Sequence, residues 1–314
     1  MLSRTADSLY WMARYTERAE NVARLLDVSQ RMSLQLHGAG GYWGAALGIT
    51  GLQEAYVARH ASIEADKVLR FMSTDASNPS SILSCLRAAR ENCHAVRGTV
   101  TSEVWETINT TWLEAREKAA GTAPAPTGER QSDLSGFFEW VKFRSHLSRG
   151  VTVGTMLQDE AFHFIRLGTF LERADNTARL LDVKYDELAP KSEAGSEYYE
   201  WSALLRSVSG FEVYRKVYRD LITPTRVAEL LILREDMPRS LHACMKEVHQ
   251  ILTLVANERS GETTRRAGTA YSRLRYGRIE DALSVGLHRY LTEFLDSTLD
   301  LGTRISRDFL VPAA

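Results

Sequence analysis

Two stretches of the chain carry glutamate, asparagine and arginine at a spacing that places them on one face of a helix. They are Glu17–Val28 and Glu172–Val183, which lie 155 residues apart and are identical at ten of twelve positions. In each stretch the Glu, Asn and Arg stand at positions i, i+4 and i+7, which are neighbours on a helical surface. Arginine offers a fork of N–H donors to a carboxylate or a phosphate, and acidic side chains bind amines or cations. The pattern therefore indicates a polar stripe that could hold a ligand carrying both charges.

The candidate ligand-binding residues are the polar members of the two copies. In the first copy they are Arg14, Glu17, Arg18, Glu20, Asn21 and Arg24, and in the second they are Glu172, Arg173, Asp175, Asn176 and Arg179. A glutamate with a raised pKa could act as a general base, so Glu17 and Glu172 are the catalytic candidates. On a helical wheel the stripe of the first copy lies opposite a broad apolar face that includes Trp11, Tyr15 and Leu26.

Three interpretations of the stripe can be weighed from the sequence. A solvated face is the least favoured, because asparagine is a poor residue in a helix interior unless its amide has a partner. In the second interpretation, the two stripes face each other and form a satisfied polar network that fixes how the halves pack. In the third, they form a ligand site. The residues alone do not choose between the last two.

A second group of candidates surrounds a recurrent Pro-x-Ser motif. Ser80 and Ser81 begin a predicted helix and could hold an anion at its N-terminus, although N-capping is favoured. Arg90 and Arg97 are seven residues apart and could form a basic wall on that helix, as a minority interpretation. Arg239 occupies the matching motif of the second half.

Metal and cofactor motifs are scarce in this chain. Glu160 and His163 have the Glu-x-x-His spacing of di-iron bundles, but the matching place in the first half has neither residue. We find no glycine-rich phosphate loop, HExxH motif or nucleophile elbow. We therefore expect no metal and no cofactor, and no motif that would bind ATP is present in the sequence.

The elements that must position these residues are helices. Only seven prolines occur in 314 residues, between helical patterns or in a tail, and strand-like alternation is nearly absent. The fold class is therefore all-α. The first helix should begin at Ser3 or Asp7 and run to about Gln35, Pro79 should open a helix, and Gly150 and Gly154 should end another.

The repeat extends beyond the motif and predicts the domain organisation. Trp43 and Tyr56 match Trp201 and Tyr214 at an offset of 158, and Pro79, Ser81 and Cys85 match Pro238, Ser240 and Cys244 at an offset of 159. We predict two tandem helical units, residues 1–157 and 158–314, packed about a pseudo-twofold axis into one elongated bundle.

Composition limits the partners and the compartment. The formal net charge is -1, and no apolar run approaches the length of a membrane span, so neither nucleic acid nor membrane is expected as a partner. Three cysteines without CxxC spacing argue against a disulfide framework and a zinc site. The N-terminus lacks the apolar core of a secretory signal, and we expect a cytoplasmic protein.

Several segments of this chain resemble the bacterial Alpha-E family, also called the domain of unknown function 403, and they occur in the order in which that family has them. They include Tyr10–Glu20, Asn78–Ser81, Ala89–Asn92, Trp105–Asn109, Leu171–Ala174 and Pro238–Ser240. The resemblance implies a genomic neighbourhood with circularly permuted ATP-grasp ligases and, often, a transglutaminase-like peptidase, and a pathway that forms peptide or amide bonds. It implies no settled activity for the helical domain. Two hypotheses follow: a docking or acceptor-site module for the ligase, or a catalyst of amide formation or acyl transfer.

Overall fold

The computed structural model describes residues 1–35, 40–121, 134–187 and 196–310. Over these residues it contains helices and no strand, which confirms the all-α prediction. In chain order the helices are α1 (Ser3–Gln35), α2 (Gly40–Thr50), α3 (Gln53–Val57), α4 (Ala65–Ser73), α5 (Ile82–Ala95), α6 (Ser102–Gly121), α7 (Leu134–Thr155), α8 (Glu160–Glu187), α9 (Ser196–Ser207), α10 (Phe211–Tyr218), α11 (Pro224–Leu233), α12 (Leu241–Leu254), α13 (Gly261–Arg275), α14 (Ile279–Val285) and α15 (Leu287–Phe309). The breaks expected at residues 37–41, 121–128 and 189–195 lie largely outside the described residues.

The chain divides into two compact units. Unit 1 consists of Met1–Leu47 with Gly51–Thr169, and unit 2 consists of Gly48–Thr50 with Phe170–Ala314. The division falls inside α8, whereas the sequence repeat predicts a boundary between residues 157 and 158, ahead of that helix. The tandem duplication itself remains a prediction from the sequence.

Unit 1 is built around the long motif helix α1. This helix packs against α5 and α7, α5 packs against α6, and α6 packs against α7, so the four helices close into a bundle. Leu9, Leu26, Phe71 and Phe138 are fully or almost fully buried in its core. Each such side chain stabilises the fold by about 1.5–3 kcal/mol relative to an exposed one.

The beginning of α8 also belongs to unit 1 and approaches α1 closely at Gly168. A Cβ atom at Gly168 would lie 2.3 Å from the carbonyl oxygen of Tyr10 and 3.3 Å from the Cβ of Ala13. No side chain fits in this space, so the crossing of the two helices depends on glycine at this position.

Unit 2 is organised around α11, α12 and α13. The helix α12 packs against α11 and α13, α13 packs against α15, and α14 fills the space beside α11 and α15. The rest of α8 contacts the start of α12, because the Thr177 hydroxyl donates to the carbonyl oxygen of Arg239 at 2.9 Å. Trp201 and Tyr214 are buried in this unit, as Trp43 and Tyr56 are buried in the chain's first half.

Several predicted helix ends were wrong. The sequence predicts one helix that carries Trp43 and Tyr56 and another over Glu280–Phe309. Each is split by a glycine with positive φ, which other residues rarely adopt: Gly51 (66°) separates α2 from α3, and Gly286 (94°) separates α14 from α15. Conversely, α7 continues through Gly150 and Gly154, because a glycine costs a helix only about 1 kcal/mol and does not by itself end it. Pro79 does not open α5, since the helix begins only at Ile82.

Candidate functional site: a buried charge network on the motif helix

The polar stripe of the first copy is buried. Glu17 and Glu20 are 0% exposed, Asn21 is 6% exposed and Arg24 is 8% exposed. The helical wheel predicted an apolar face and an opposite polar stripe, but α1 packs against three helices of its unit, α4, α5 and α7. A solvated stripe is therefore wrong for this copy. Charges enclosed in this way must be paired, because an isolated buried ion is very costly.

The partners of the two carboxylates come from α7. One guanidinium nitrogen of Arg149 (Nη1) donates to Glu17 at 3.0 Å and to Glu20 at 2.6 Å. The Ser145 hydroxyl donates to the same oxygen of Glu20 at 2.7 Å. The other oxygen of Glu20 accepts from Nε of Arg24, one helical turn away, at 2.8 Å. Arg149 thus bridges the two buried carboxylates, and Arg24 of the same helix pairs with one of them, Glu20.

The network continues along α1 to Asp27, which is 4% exposed. Lys142 donates to Asp27 at 2.9 Å, and Arg31 donates to it at 3.0 Å. Lys142, Ser145 and Arg149 stand at i, i+3 and i+7 on α7, so one face of that helix supplies all three cross-helix donors. The two helices are joined by a polar seam rather than by apolar contacts alone.

His146 lies at the outer edge of this seam, between two guanidinium groups. Its Nδ1 is 2.7 Å from Nη2 of Arg149, and its Nε2 is 3.1 Å from Nη2 of Arg24. Both arginine atoms are donors, and a neutral imidazole accepts at only one of its two nitrogens. At most one of the two contacts is therefore a hydrogen bond. The imidazole is exposed, whereas the Arg24 side chain behind it is almost completely enclosed.

The other basic candidates of the first copy lie against aromatic rings. The Arg14 guanidinium donates to the Tyr10 hydroxyl at 3.2 Å and lies 5.1 Å from the centre of the Trp11 ring. Arg18 lies 5.7 Å from the Tyr15 ring. These are cation–π arrangements, which keep the charge on a partly exposed face while the rings are packed. Their aromatic neighbours come from α1 itself, so the grouping is local.

The second copy of the motif has a different environment. Glu172 and Arg173 are 5% and 7% exposed, and Arg173 donates to the carbonyl oxygen of Pro238 at 3.4 Å. Arg179 pairs with Asp175 through contacts of 2.8 Å and 3.2 Å, but their side chains are 43% and 27% exposed. Asn176 is half-buried. Although the two copies are identical at ten positions, the Glu20–Arg24 pair is enclosed in unit 1. The matching Asp175–Arg179 pair in unit 2 is partly exposed, beside the buried Glu172 and Arg173.

The residues of the Pro-x-Ser motifs are mostly structural. Ser81 is the N-cap of α5 and accepts from the Ser84 amide, and Ser240 caps α12 in the same way, which confirms the capping interpretation. The Ser80 amide donates to the Asn78 side chain at 3.0 Å. These contacts occupy donors that an anion would need.

The predicted basic wall on α5 is wrong. Arg90 donates to Asn109 of α6 at 3.1 Å and lies over the Trp105 ring, whereas Arg97 is exposed in the turn after α5 ends at Ala95. The helix ends too early for the two to share a face. Arg239 is 6% exposed and lies in the segment that contacts α8.

A small cavity lies between the bundle helices beside the network. Its lining includes Thr16, Thr111, Arg144, Ser145 and Ser148, and its volume is about 10 Å³. That volume is roughly the space that one water molecule needs. Arg144 donates to the Thr111 hydroxyl and to the carbonyl oxygen of Thr107, so its charge is held by neutral oxygens. The cavity is therefore too small to hold a substrate.

Perturbed groups near the bundle have simple causes. Partial burial raises the pKa of Asp7 at the start of α1, against the effect of a hydrogen bond with Trp11. Burial raises the pKa of the Cys93 thiol in α5 to about 12. Burial and the charge of Arg166 lower the pKa of His163. Glu160, its partner in the Glu-x-x-His spacing, pairs with the amine of Met1 at 2.6 Å.

No cluster of three or more His, Cys, Asp or Glu side chains in residues 1–35, 40–121, 134–187 and 196–310 is arranged to hold a metal ion. Among the helices of those segments, none combines the length and the apolar character needed to cross a bilayer.

Sequence reasoning missed the contribution of α7, including Lys142, Ser145, His146 and Arg149. The available signal was the i, i+3, i+7 stripe of polar donors on that helix, together with the need of buried acids for cationic partners.

Comparison with known proteins gives a family but no activity. Residues 1–310 match the model of the Alpha-E family, described as a predicted alpha-helical domain with a conserved ER motif, so the chain belongs to that family. It is 26% identical over 312 residues to uncharacterized proteins of Mycobacterium tuberculosis and Mycobacterium bovis, covering 93% of this chain and 35% of each relative. The chain thus spans about a third of the length of the curated relatives it matches. No solved structure matches it.

Proposed function

We propose that this Alpha-E protein is the helical component of an ATP-grasp-associated system that forms peptide or amide bonds. In this proposal it acts in the cytoplasm as a docking or acceptor-site module for a circularly permuted ATP-grasp ligase. A transglutaminase-like peptidase is a second partner in the same pathway. The ligase supplies the ATP chemistry, and the helical chain supplies a surface and a binding site.

The proposal rests on the burial and the ion pairing of the two motif carboxylates. Glu17 and Glu20 are 0% exposed and both accept from Arg149, so their negative charges are already used to join α1 to α7. A general base needs access to the proton that it removes, within about 2.6–3.2 Å or through one water. An enclosed, ion-paired glutamate suits a rigid scaffold better than it suits this role.

The greater length of the relatives supports a role as a module that works together with another polypeptide region. In the mycobacterial relatives the matching region is 35% of a much longer chain. A region that occurs as part of a longer polypeptide has neighbours with which to form an interface. The family resemblance implies that, for separate Alpha-E chains, the neighbouring ligase is encoded nearby.

Co-purification with the ligase encoded beside this chain tests the proposal. We expect a stable complex by gel filtration with light scattering, and a higher rate of ADP release by the ligase when the helical chain is added. If no complex forms and ligase turnover does not change, the docking role is refuted. Bovine serum albumin at the same concentration controls for crowding.

The isosteric variants Glu17→Gln and Glu172→Gln separate docking from catalysis. If the chain is a module, each variant that retains its helical circular dichroism still binds the ligase and still raises its turnover. If the chain is itself the catalyst, binding persists but product formation is lost. The second outcome would replace our proposal by the amide-forming or acyl-transferring alternative.

A further inference from the structure

We propose that the small cavity of unit 1 binds a single monatomic anion, chloride, through the guanidinium of Arg144 and the hydroxyl of Ser148. Both side chains belong to α7 and line the cavity, together with residues of α1, α5 and α6. The site lies entirely within unit 1 and does not depend on docking to a ligase.

The enclosed seam between α1 and α7 already balances its own charges. Each of its three buried acids pairs with at least one of three cations, and the pairs are Glu17–Arg149, Glu20–Arg149, Glu20–Arg24 and Asp27–Lys142. Arg144 stands on the same helix as these donors but turns to α6. Its Nε donates to the Thr111 hydroxyl at 2.8 Å, and its Nη2 donates to the carbonyl oxygen of Thr107 at 2.9 Å. Within the part of the chain that the structure describes, no carboxylate pairs with Arg144, so this arginine is a cation in excess.

Two groups in the cavity wall still have donors to offer. Among the described residues, Nη1 of Arg144 makes no hydrogen bond, and neither does the hydroxyl of Ser148, one helical turn further along α7. The other three hydroxyls of the wall already donate elsewhere, Thr16 to the carbonyl oxygen of Met12, Thr111 to that of Thr107 and Ser145 to Glu20. An occupant that accepts hydrogen bonds satisfies the two remaining groups, and a negative charge on it also offsets the charge of Arg144.

The size and the lining of the cavity select the anion. Its volume is about 10 Å³, roughly the space of one water molecule. Chloride is only slightly larger than water, whereas phosphate, sulfate and carboxylates contain several heavy atoms and do not fit. The rest of the wall is apolar and consists of Leu86, Ala89, Ile108 and Val141. Such a wall favours chloride and bromide over fluoride, because fluoride holds its hydration water more strongly. A water molecule is the competing occupant, but it leaves the charge of Arg144 unbalanced.

The experiment uses the full chain alone, with sodium chloride replaced by sodium bromide, fluoride or gluconate at constant ionic strength, so that general screening stays the same. The anion binds the folded chain and not the unfolded one, so it raises the thermal midpoint Tm by mass action. At a roughly tenfold excess of anion over its Kd, we expect a Tm about 2 °C higher in chloride or bromide than in gluconate. Fluoride should have less effect. The quadrupolar NMR line of chloride should broaden when the protein is added and narrow again when bromide competes. An equal Tm in chloride and gluconate shows that the cavity holds water alone and overturns the proposal.

Three variants make the test specific to the cavity. Arg144→Gln removes the charge, and the difference in Tm between chloride and gluconate should vanish, whatever the variant's own stability. Ser148→Ala removes only a hydroxyl, and we expect the Kd of chloride to rise several-fold. Arg116→Gln is the matched control, because Arg116 is an exposed arginine of α6 that lies over the Trp112 ring and does not line the cavity. It should keep the full chloride effect.

The variants also give the outcomes that refute the site. If Arg144→Gln keeps the chloride effect, or if Arg116→Gln loses it as well, the effect is a general one of salt on the protein surface. If Arg144→Gln does not fold, Ser148→Ala decides alone, since an unchanged Kd for chloride in that variant refutes the site.

Discussion

Replacement of Arg149 by methionine tests whether the buried acids depend on the bridge from α7. The guanidinium contacts two carboxylates that are 0% exposed, together with Ser145. Removing one partner of a buried ion pair costs about 3–5 kcal/mol, because the remaining charge stays buried without compensation. Glu20 keeps Arg24 and Ser145, and the Arg149 side chain is 27% exposed, which places the cost near the lower end. We expect the free energy of unfolding to fall by about 3 kcal/mol.

The assay is urea denaturation followed by far-UV circular dichroism, with Arg304→Met in α15 as the control. Arg304 pairs with Asp300 at 2.8 Å on one helix, but the two side chains are 21% and 42% exposed. Such a pair contributes about 1 kcal/mol or less. If Arg149→Met costs no more than Arg304→Met, the acids do not depend on Arg149, and our account of the network is refuted.

A double variant identifies the cause of the loss. If the cost arises from a carboxylate that has lost its bridge, Glu17→Gln should restore part of the stability of Arg149→Met, because an amide needs the guanidinium less than a carboxylate does. The two substitutions should then be non-additive by more than about 0.5 kcal/mol. Simple addition of their effects would point to lost packing by the arginine stem instead.

Four further predictions follow from local geometry. Gly168→Ala should destabilise the chain by about 2 kcal/mol or more in the same assay, because the added methyl meets backbone. Gly150→Ala, where a Cβ would meet nothing within 4 Å, should stabilise it by about 0.5–1 kcal/mol. Ser81→Ala should cost about 1 kcal/mol through loss of the α5 cap, measured by thermal unfolding. Hydrogen bonds from two arginines lower the pKa of Glu262 from 4.5 to about 2. Its contribution to stability is therefore present above pH 4.5 and is lost as the pH falls toward 2. Carboxyl-carbon NMR should show this low midpoint, and Arg265→Gln should raise it.

The fold class and most helices were predictable because helical periodicity and capping are local properties. One helix was expected from Ser3 or Asp7 to about Gln35, and α1 (Ser3–Gln35) is one helix, since its apolar spacing lies within the segment itself. The splits at Gly51 and Gly286 were missed because a glycine in a helical pattern is compatible with either continuation or a break. Only the surrounding packing decides which occurs.

The candidate site was predictable in its residues but not in its environment. A helical wheel orders the residues of α1 relative to one another and says nothing about which faces neighbouring helices will cover. Glu17 and Arg24 were identified from the repeated motif, but Arg149 lies on a helix more than a hundred residues later. Which later donor meets a buried acid depends on how the bundle closes, and that is a long-range property.

The two motif copies show why the helix that faces a motif matters as much as the motif. In unit 1, Glu20 pairs with Arg24 of its own helix and also with Arg149 of α7, and it is 0% exposed. In unit 2, Asp175 pairs with Arg179 of its own helix, and the two side chains are 27% and 43% exposed. The motif supplies the same intrahelical pair in both copies, whereas the helices packed against it determine how far that pair is enclosed.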